Sequence, residues 1–367
     1  MPALLKDVYS PQFYDQFTQV LQKVVPDLDR EQFQQLIFAE GWAARELKDR
    51  MRHTARVLHH FLPKSFPEAV GVILQTIERL QQERFAVQHV EFMFFPDYVE
   101  LYGLEELETS VQAMESITQF ISCEFAVRPF ILKYPEQMMT QLLVWSQHGN
   151  HAVRRFSSEG CRPRLPWAMA LPFLKKDPAP VLPILENLKA DPSEFVRRSV
   201  ANNLNDISKD NPELVLNLLA KWKGQSPETD WIVKHGCRTL LKQGHTEVLR
   251  YFGYEGDAQL EVSQFQVHTP EVEVGQFLQF SFVLRNRSAL PQKVRLEYGI
   301  YYLKANGTQN RKVFKISERV CAPLEEKAIH RKQSFQIITT RKYHRGAHRI
   351  SLIVNGQEKA MADFVVV

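Results

Sequence analysis

Cysteine is scarce in this chain of 367 residues, which contains four of them. They form no CxxC pair and no other zinc-ligand spacing, so the sequence predicts neither a disulfide framework nor a metal site. The expected compartment is therefore the reducing cytoplasm, and no metal or other cofactor is expected. The four positions, all far apart, are Cys123, Cys161, Cys237 and Cys321.

Long apolar runs are also absent. No stretch of about 18 apolar residues occurs, so no membrane-spanning helix is expected. The first residues lack a basic segment followed by an apolar one, so no secretory signal is expected. Hydrophobic residues make up 44% of the chain and charged residues 24%. These values are near the globular average and exclude wholesale disorder, and the length suits two domains or one long repeat array.

An excess of negative charge is confined to the first part of the chain. Residues 1–140 carry a net charge of −7, residues 141–250 carry +5 and residues 256–367 carry +7, within a total of +4. Two basic parts favour a polyanionic partner. The alternative is that these lysines and arginines are ordinary solvated surface residues.

The spacing of apolar residues changes once along the chain. Up to about residue 255 they recur every three or four positions, as in Leu47, Met51 and Leu58, which predicts helices. From about residue 258 they alternate with polar residues, and Asn355-Gly356 predicts a tight hairpin turn. About seven short strands in this part are typical of an immunoglobulin-like sandwich.

The predicted fold class is mainly α: a helical-repeat solenoid followed by an all-β immunoglobulin-like sandwich. We place the helical domain at residues 1–255, the sandwich at residues 256–367 and the linker at residues 253–257. With one cysteine in the second domain, the intersheet disulfide of antibody domains is excluded.

An internal repeat supports the solenoid. Val-Arg-Arg begins at residues 153 and 196 and Val-Lys-His at residue 233, so the copies are 43 and 37 residues apart, which suits a two-helix HEAT-like unit. In each copy, the positions two, six and nine residues after the valine share one helical face. Stacked repeats would then present a mostly cationic strip able to follow a phosphate backbone. The predicted contacts along it are Arg154, Arg155, Arg197, Arg198, Lys234 and His235.

The alternative for this strip is that each arginine pairs within its own helix, as Arg155 could with Glu159.

Two glutamates and one tryptophan stand out as chemistry-bearing residues. Glu124 continues an apolar helical stripe, where a carboxylate is costly unless it is paired or used. Glu159 precedes the arginine-rich, proline-rich run that ends at Trp167. Two acids in a cationic groove suit a site that stabilises positive charge. The alternatives are a structural Glu124–Arg128 pair, a surface ion pair of Glu159, and a Trp167 packed under its loop.

These segments resemble motifs of AlkC-type DNA glycosylases. Residues 124–130, EFAVRPF, resemble the SEFA-[VI]-RPF motif, with Cys123 where many relatives have serine. Residues 153–167, VRRFSSEGCRPRLPW, resemble the VRR-x-x-SEG-x-RPRLPW motif. Residues 235–242 are similar to the HALRTLLK stretch shared with AlkD-type relatives, but Gly236 and Cys237 replace its alanine and leucine. Residues 340–346, with Asn355-Gly356, are similar to the C-terminal extension of longer family members.

The resemblance implies a monofunctional glycosylase that removes cationic N3-methylated bases, 3-methyladenine and 3-methylcytosine, from double-stranded DNA. It implies that the base is not flipped into a pocket, that no membrane is involved, and that the enzyme acts as a monomer. Glu124 and Glu159 would be the catalytic carboxylates and Trp167 the aromatic contact to the lesion. Further DNA contacts at motif positions would be Arg155, Arg162, Arg164 and Arg238.

Two other functions compete with this one. A non-catalytic HEAT scaffold that binds proteins would not depend on the two glutamates. A catalytically silent lesion binder would hold damaged DNA without releasing a base.

The second domain is predicted to be a DNA-binding element, because its charge of +7 exceeds that of the repeat region. Residues 340–348 read as a loop between two strands, and they carry Arg341, Lys342 and Arg345 with His344 and His348 among them. Loops at the end of a sandwich are where such domains bind. The alternative is an appendage that serves stability or solubility.

Overall fold

The computed structural model describes residues 4–254, 259–338 and 341–367. Spatial contacts divide the chain into two compact units, Met1–Gly236 and Cys237–Val367. The predicted fold class is confirmed, since helices fill the first unit and strands follow in the second. Of the predicted linker, residues 255–257 lie outside the described residues, and the predicted boundary at residue 255 stays a prediction.

The first unit is built from helices whose starts are set by local chemistry. Ser10, Asp29 and Asn150 each accept a hydrogen bond from a backbone N–H of the first turn, which satisfies a donor that the helix itself cannot pair. Short 3-10 helices span Leu5–Val8, Trp42–Ala44, Val90–Met93 and Ala179–Val181. The α-helices are α1 (Pro11–Gln22), α2 (Arg30–Ile37), α3 (Leu47–Phe61), α4 (Phe66–Gln82), α5 (Phe94–Tyr102), α6 (Leu107–Ile117), α7 (Val127–Lys133), α8 (Pro135–Trp145), α9 (His151–Gly160), α10 (Pro172–Lys176), α11 (Leu182–Leu188), α12 (Glu194–Ile207), α13 (Pro212–Trp222) and α14 (Pro227–Gly236).

The three repeat copies lie on equivalent helices. They begin in α9, α12 and α14. Each of these helices packs against the helix before it, and α12 also packs against both α9 and α14. The repeat valines, Val153, Val196 and Val233, are buried. Each copy is therefore a two-helix unit that buries one face against its neighbours.

The first arginine of the repeat makes the same hydrogen bonds in two copies. Arg154 Nη1 donates to the carbonyls of His148 and Gly149, and Arg197 Nη1 donates to those of Asp191 and Pro192. In both cases the acceptors lie five and six residues earlier, in the loop that leads into the helix. The repeated arginine thus satisfies loop carbonyls that have no helical partner.

The second unit begins with two short helices, α15 (Arg238–Gln243) and α16 (Thr246–Tyr251). Its strands form two sheets, ordered β1-β3-β6 and β2-β8-β7-β4-β5. The predicted count was about seven; the described residues contain β1 (Leu260–Val267), β2 (Glu271–Val272), β3 (Phe277–Asn286), β4 (Gln292–Leu303), β5 (Gln309–Cys321), β6 (Glu326–Ser334), β7 (Gly346–Val354) and β8 (Gln357–Val366). The alternating positions that predicted the strands fill the core between the sheets, including Leu278, Phe280, Phe282, Leu296 and Ile300.

The predicted hairpin turn joins β7 to β8. Asn355 has φ 47° and Gly356 has φ 82°, so both central residues adopt the positive φ of a type I′ turn. A Cβ on Gly356 would lie 2.5 Å from Cδ1 of Leu249, which shows how closely α16 packs against the turn. This contact explains why the compact second unit starts before the first strand.

The predicted loop at residues 340–348 is shorter than expected. Thr340 lies outside the described residues, and Gly346 already begins β7. His348 is fully buried beside Phe335 and Phe364, so it belongs to the core rather than to a cationic loop. Burial also lowers the pKa of His348, which favours its neutral form.

Gly236 makes a sharp packing test possible, because it ends α14 against α12 where the AlkD-type motif has alanine. A Cβ there would lie 2.9 Å from Cβ of Leu204, whereas a Cβ on Gly71 in α4 would meet nothing within 4 Å. We expect Gly236→Ala to lower the free energy of unfolding by about 1–3 kcal/mol through overpacking. Gly71→Ala should raise it by about 0.5–1 kcal/mol through helix propensity. Urea unfolding measures both, and equal effects of one sign would contradict the packing.

Candidate active site

One arginine lies between the two predicted catalytic glutamates. Arg155, on α9, forms an ion pair with Glu124, which lies in the turn before α7. Its other terminal nitrogen, Nη2, is 3.6 Å from Oε1 of Glu159, one turn along the same helix. Ser122 accepts a hydrogen bond of 2.7 Å from Arg155 and donates one of 2.9 Å to Glu124. The carboxylates are thus brought to one site although they are 35 residues apart.

A second cation continues the network into the protein. Arg162 donates from Nη1 to Glu159 at 2.6 Å and from Nε to Asp206 at 2.8 Å. Lys209 donates to the other oxygen of Asp206 at 2.9 Å. Burial by itself would lower the pKa of Arg162, but the attraction of Glu159 and Asp206 outweighs it and raises that pKa. The network therefore alternates three acids with three bases.

Asp206 is a site residue that the sequence reasoning missed. It is 1% exposed and lies on α12, between the buried residues Leu204 and Ile207. It directly follows Asn205, the ninth residue after the repeat valine Val196, and so lies just outside the repeat positions. The available signal was a carboxylate placed among apolar residues of a helix, which requires a partner.

Glu124 and Arg128 do not form the structural pair considered as an alternative. In the described part of the chain, Glu124 is held by Arg155 and Ser122. Arg128 donates instead to the carbonyls of Met169, at 2.6 Å, and Gly160, at 2.9 Å. Burial lowers the pKa of Arg128 to about 10. The ion pairs of Glu159 are not at the surface either, since this residue is 5% exposed.

Trp167 is presented to solvent rather than packed under its loop. It is 66% exposed and lies in the segment between α9 and α10, at residues 161–171, which we call the tryptophan loop. Within this loop, Leu171 N–H donates to the carbonyl of Pro163 at 3.2 Å. An exposed indole can offer its face to a cationic ligand.

Comparison with known proteins identifies the family. A family model described as "DNA alkylation repair enzyme" matches residues 104–240, and one described as "Uncharacterised protein YhaZ, C-terminal Ig-like domain" matches residues 261–367. The chain is 44% identical over 364 residues to "Uncharacterized protein YhaZ" of Bacillus subtilis (strain 168), covering 99% of each chain. The chain belongs to the AlkC-type family of DNA glycosylases.

A solved AlkC-type structure supports the same conclusion. It is described as Pseudomonas fluorescens alkylpurine DNA glycosylase AlkC bound to DNA containing an abasic site analog. The two chains are 34% identical, each is covered completely, and the TM-score is 0.92. The AlkC-type likeness confirms the predicted family and, with it, HEAT-like repeats followed by an immunoglobulin-like domain.

The other predicted DNA contacts of the first unit lie outside the network of Arg155 and Arg162. Arg154 pairs with Asp191 at 2.6 Å, and Arg164 pairs with Asp210 through two hydrogen bonds. Exposed cations on the repeat helices include Arg198, paired with Glu194, and Lys234. His235, beside Lys234, stacks on Trp231 with ring centroids 4.9 Å apart.

The remaining predicted contacts lie in the second unit. Arg238 begins α15, and the Arg341 guanidinium lies 4.3 Å above the centre of the Tyr302 ring. Lys342 and Arg345 are exposed in the segment before β7.

In the first unit, one aromatic contact to the site was not predicted. The Arg155 guanidinium lies over the ring of Phe195, on α12, 4.7 Å from the ring centre. No helix of the described residues is long and apolar enough to cross a membrane.

The shared arginine generates a stability prediction. Arg155→Met leaves two largely buried carboxylates without their common cation, which should lower the free energy of unfolding by about 3–5 kcal/mol near neutral pH.

The matched control is Arg198→Met, which breaks an exposed pair with Glu194 whose side chains are 65% and 60% exposed. Exposed pairs contribute little, so this variant should unfold like the original protein. Urea unfolding near neutral pH measures the free energy of unfolding of both variants. Equal losses for Arg155→Met and Arg198→Met would contradict the assignment.

Proposed function

We propose that this protein is a monofunctional glycosylase that hydrolyses the N-glycosidic bond of 3-methyladenine and 3-methylcytosine in double-stranded DNA. The base would leave without being flipped into a pocket, and an abasic site would remain. The observation that carries the proposal is the pairing of Glu124 and Glu159 around Arg155, beside the loop that exposes Trp167. The family membership and the DNA-bound AlkC structure support a DNA substrate.

The chemistry of the leaving group explains why carboxylates suit this reaction. An N3-methylated base already carries positive charge, so it leaves without full protonation by a general acid. The sugar that remains develops oxocarbenium character, as in glycoside hydrolysis. Fixed carboxylates near C1′ would stabilise that cation and orient the attacking water. Selectivity would then depend on the leaving group as much as on contacts to the base.

Trp167 would supply the contact to the damaged base. Its exposed indole face can attract a cationic ring through a cation–π interaction, which an undamaged neutral base would not gain. The two glutamate motifs, residues 124–130 and 153–167, contain no lysine that could form a Schiff base with the sugar. A glycosylase without strand cleavage is therefore the form we propose.

The two site arginines would have a further role when DNA binds. In the free protein Arg155 and Arg162, together with Lys209, balance the charges of Glu124, Glu159 and Asp206. A DNA phosphate near either guanidinium would compete for its hydrogen bonds. If the arginine turned toward the phosphate, its carboxylate partner would lose part of its counter-charge. That carboxylate would then attract a cationic sugar more strongly.

Substitution of the two glutamates tests the activity. Glu124→Gln and Glu159→Gln should each lower base release by roughly ten- to thousandfold, the range for removing one electrostatic stabiliser. Affinity for undamaged duplex should change little. The measurement is mass spectrometry of bases released without heating from alkylated DNA. The control is Glu194→Gln, an exposed acid on α12 that should leave release unchanged.

The alternatives give different results in that experiment. Release by the double glutamine variant at the original rate would contradict the assignment. Binding of damaged DNA without any release by the unmodified protein would indicate a lesion binder instead. Absence of both release and DNA binding would favour the protein scaffold.

DNA binding by the second unit is tested through salt dependence. We expect replacement of Arg341, Lys342 and Arg345 by alanine to reduce the slope of log affinity against log salt by about one unit for each phosphate that these side chains neutralise. The control replaces three other exposed cations of the same unit, Lys304, Lys315 and Lys327, with alanine. Equal slopes for both triple variants would favour the appendage alternative, and a slope near zero for the unmodified protein would remove DNA as the partner.

A further inference from the structure

The backbone of Trp167 adopts an uncommon conformation. Its φ of 64° lies in the left-handed region, which bulky residues rarely adopt. Such a residue keeps this conformation only where the surrounding structure enforces it. The side chain is largely in solvent, so its own packing is a weak source of that constraint. The constraint must come mainly from contacts of the loop backbone.

Lys48 makes one such contact from a distant part of the chain. It lies in the first turn of α3, and its Nζ donates to the carbonyl oxygen of Trp167. The same ammonium lies 4.7 Å from the centre of the Phe125 ring. Phe125 directly follows Glu124. A single cation therefore connects the segment that carries a proposed catalytic carboxylate with the residue that carries the indole.

The tryptophan loop borders a cavity that packed side chains do not fill. The cavity has a volume of about 340 Å³ and is lined by Ala168 and Met169 of the loop, by Phe125, and by Lys48 with other residues of α3 and α5. Beyond it, Arg128 holds the carbonyls of Met169 and Gly160. Arg128 thus ties Met169, two residues after Trp167, to the last residue of α9, and the Lys48 contact holds the loop where it borders the cavity.

We propose that Lys48 is a positioning residue for Trp167: its ammonium lies over the Phe125 ring and donates to the tryptophan carbonyl, and so sets the indole relative to Glu124. This inference rests on the proposed function, because it matters for the reaction only if Trp167 contacts the lesion. Lys48 itself does not act on the base or the sugar. Loss of the Lys48 ammonium would let the tryptophan loop sample other conformations and displace the indole. Small displacements of a group that contacts the substrate strongly reduce the rate of the reaction.

The test compares Lys48→Met with Arg56→Met in the full-length protein. Methionine keeps most of the lysine stem but removes the ammonium, and Arg56 is an exposed cation two turns along the same helix. Lys48→Met should lower the single-turnover rate of base release on the order of tenfold. Its affinity for undamaged duplex and its salt slope should match those of Arg56→Met. Amide hydrogen exchange should accelerate in residues 164–171 for Lys48→Met only.

The double variant separates positioning from a direct contact. In a Trp167→Ala background, Lys48→Met should cause no further loss of rate, since no indole remains to be placed. A full additional loss there, or a change in salt slope, would show that Lys48 contacts DNA itself and would overturn the proposal. Unchanged hydrogen exchange in the loop would overturn it as well. Failure of the proposed function is distinct, because the unmodified protein would then release no base, whereas hydrogen exchange would still show whether Lys48 holds the loop.

Discussion

A guanidinium between two carboxylates is the interaction on which the site depends. Arg155 contacts Glu124 from another segment of the fold and Glu159 one helical turn away. Without a cation between them, two largely buried negative charges would pay both desolvation and repulsion. The shared arginine lets both carboxylates converge on one place, where a reaction that develops positive charge would benefit from them.

The arginine works because its surroundings restrain it. Phe195 covers the guanidinium plane and Ser122 accepts one of its N–H groups. Glu159 in turn is held by Arg162, which Asp206 orients. Buried ionic networks of this kind are poor sources of stability compared with apolar packing. We therefore attribute the network of six alternating charges to the proposed chemistry of the site rather than to folding.

The repeats build the scaffold through residues that are used alike in each copy, whereas the site is built from residues that differ between copies. The first arginine of two copies, Arg154 and Arg197, satisfies loop carbonyls in the same way. The second arginine differs between the same copies. Arg155 joins the two glutamates, whereas Arg198 pairs with an acid on its own exposed face. Equivalent positions of similar helices thus carry dissimilar side chains. Six residues after the repeat valine, the copy on α9 has Glu159, whereas the other two copies have Asn202 and Thr239.

Local spacing of apolar residues was enough to predict the helical and strand regions and the repeat. The backbone freedom of Asn355 and Gly356 was enough to predict the hairpin turn. Motif resemblance also pointed to Glu124, Glu159 and Trp167. The partner of Glu124 depends instead on how the helices pack: Arg128, four residues away, donates to backbone carbonyls, and the cation comes from α9. The roles of Asp206 and Lys48 also depend on tertiary packing, because Asp206 contacts Arg162, 44 residues away, and Lys48 contacts Trp167, 119 residues away. Local patterns constrain residues that share a helix face or a turn, whereas the position of a charge relative to a distant one depends on how whole helices pack.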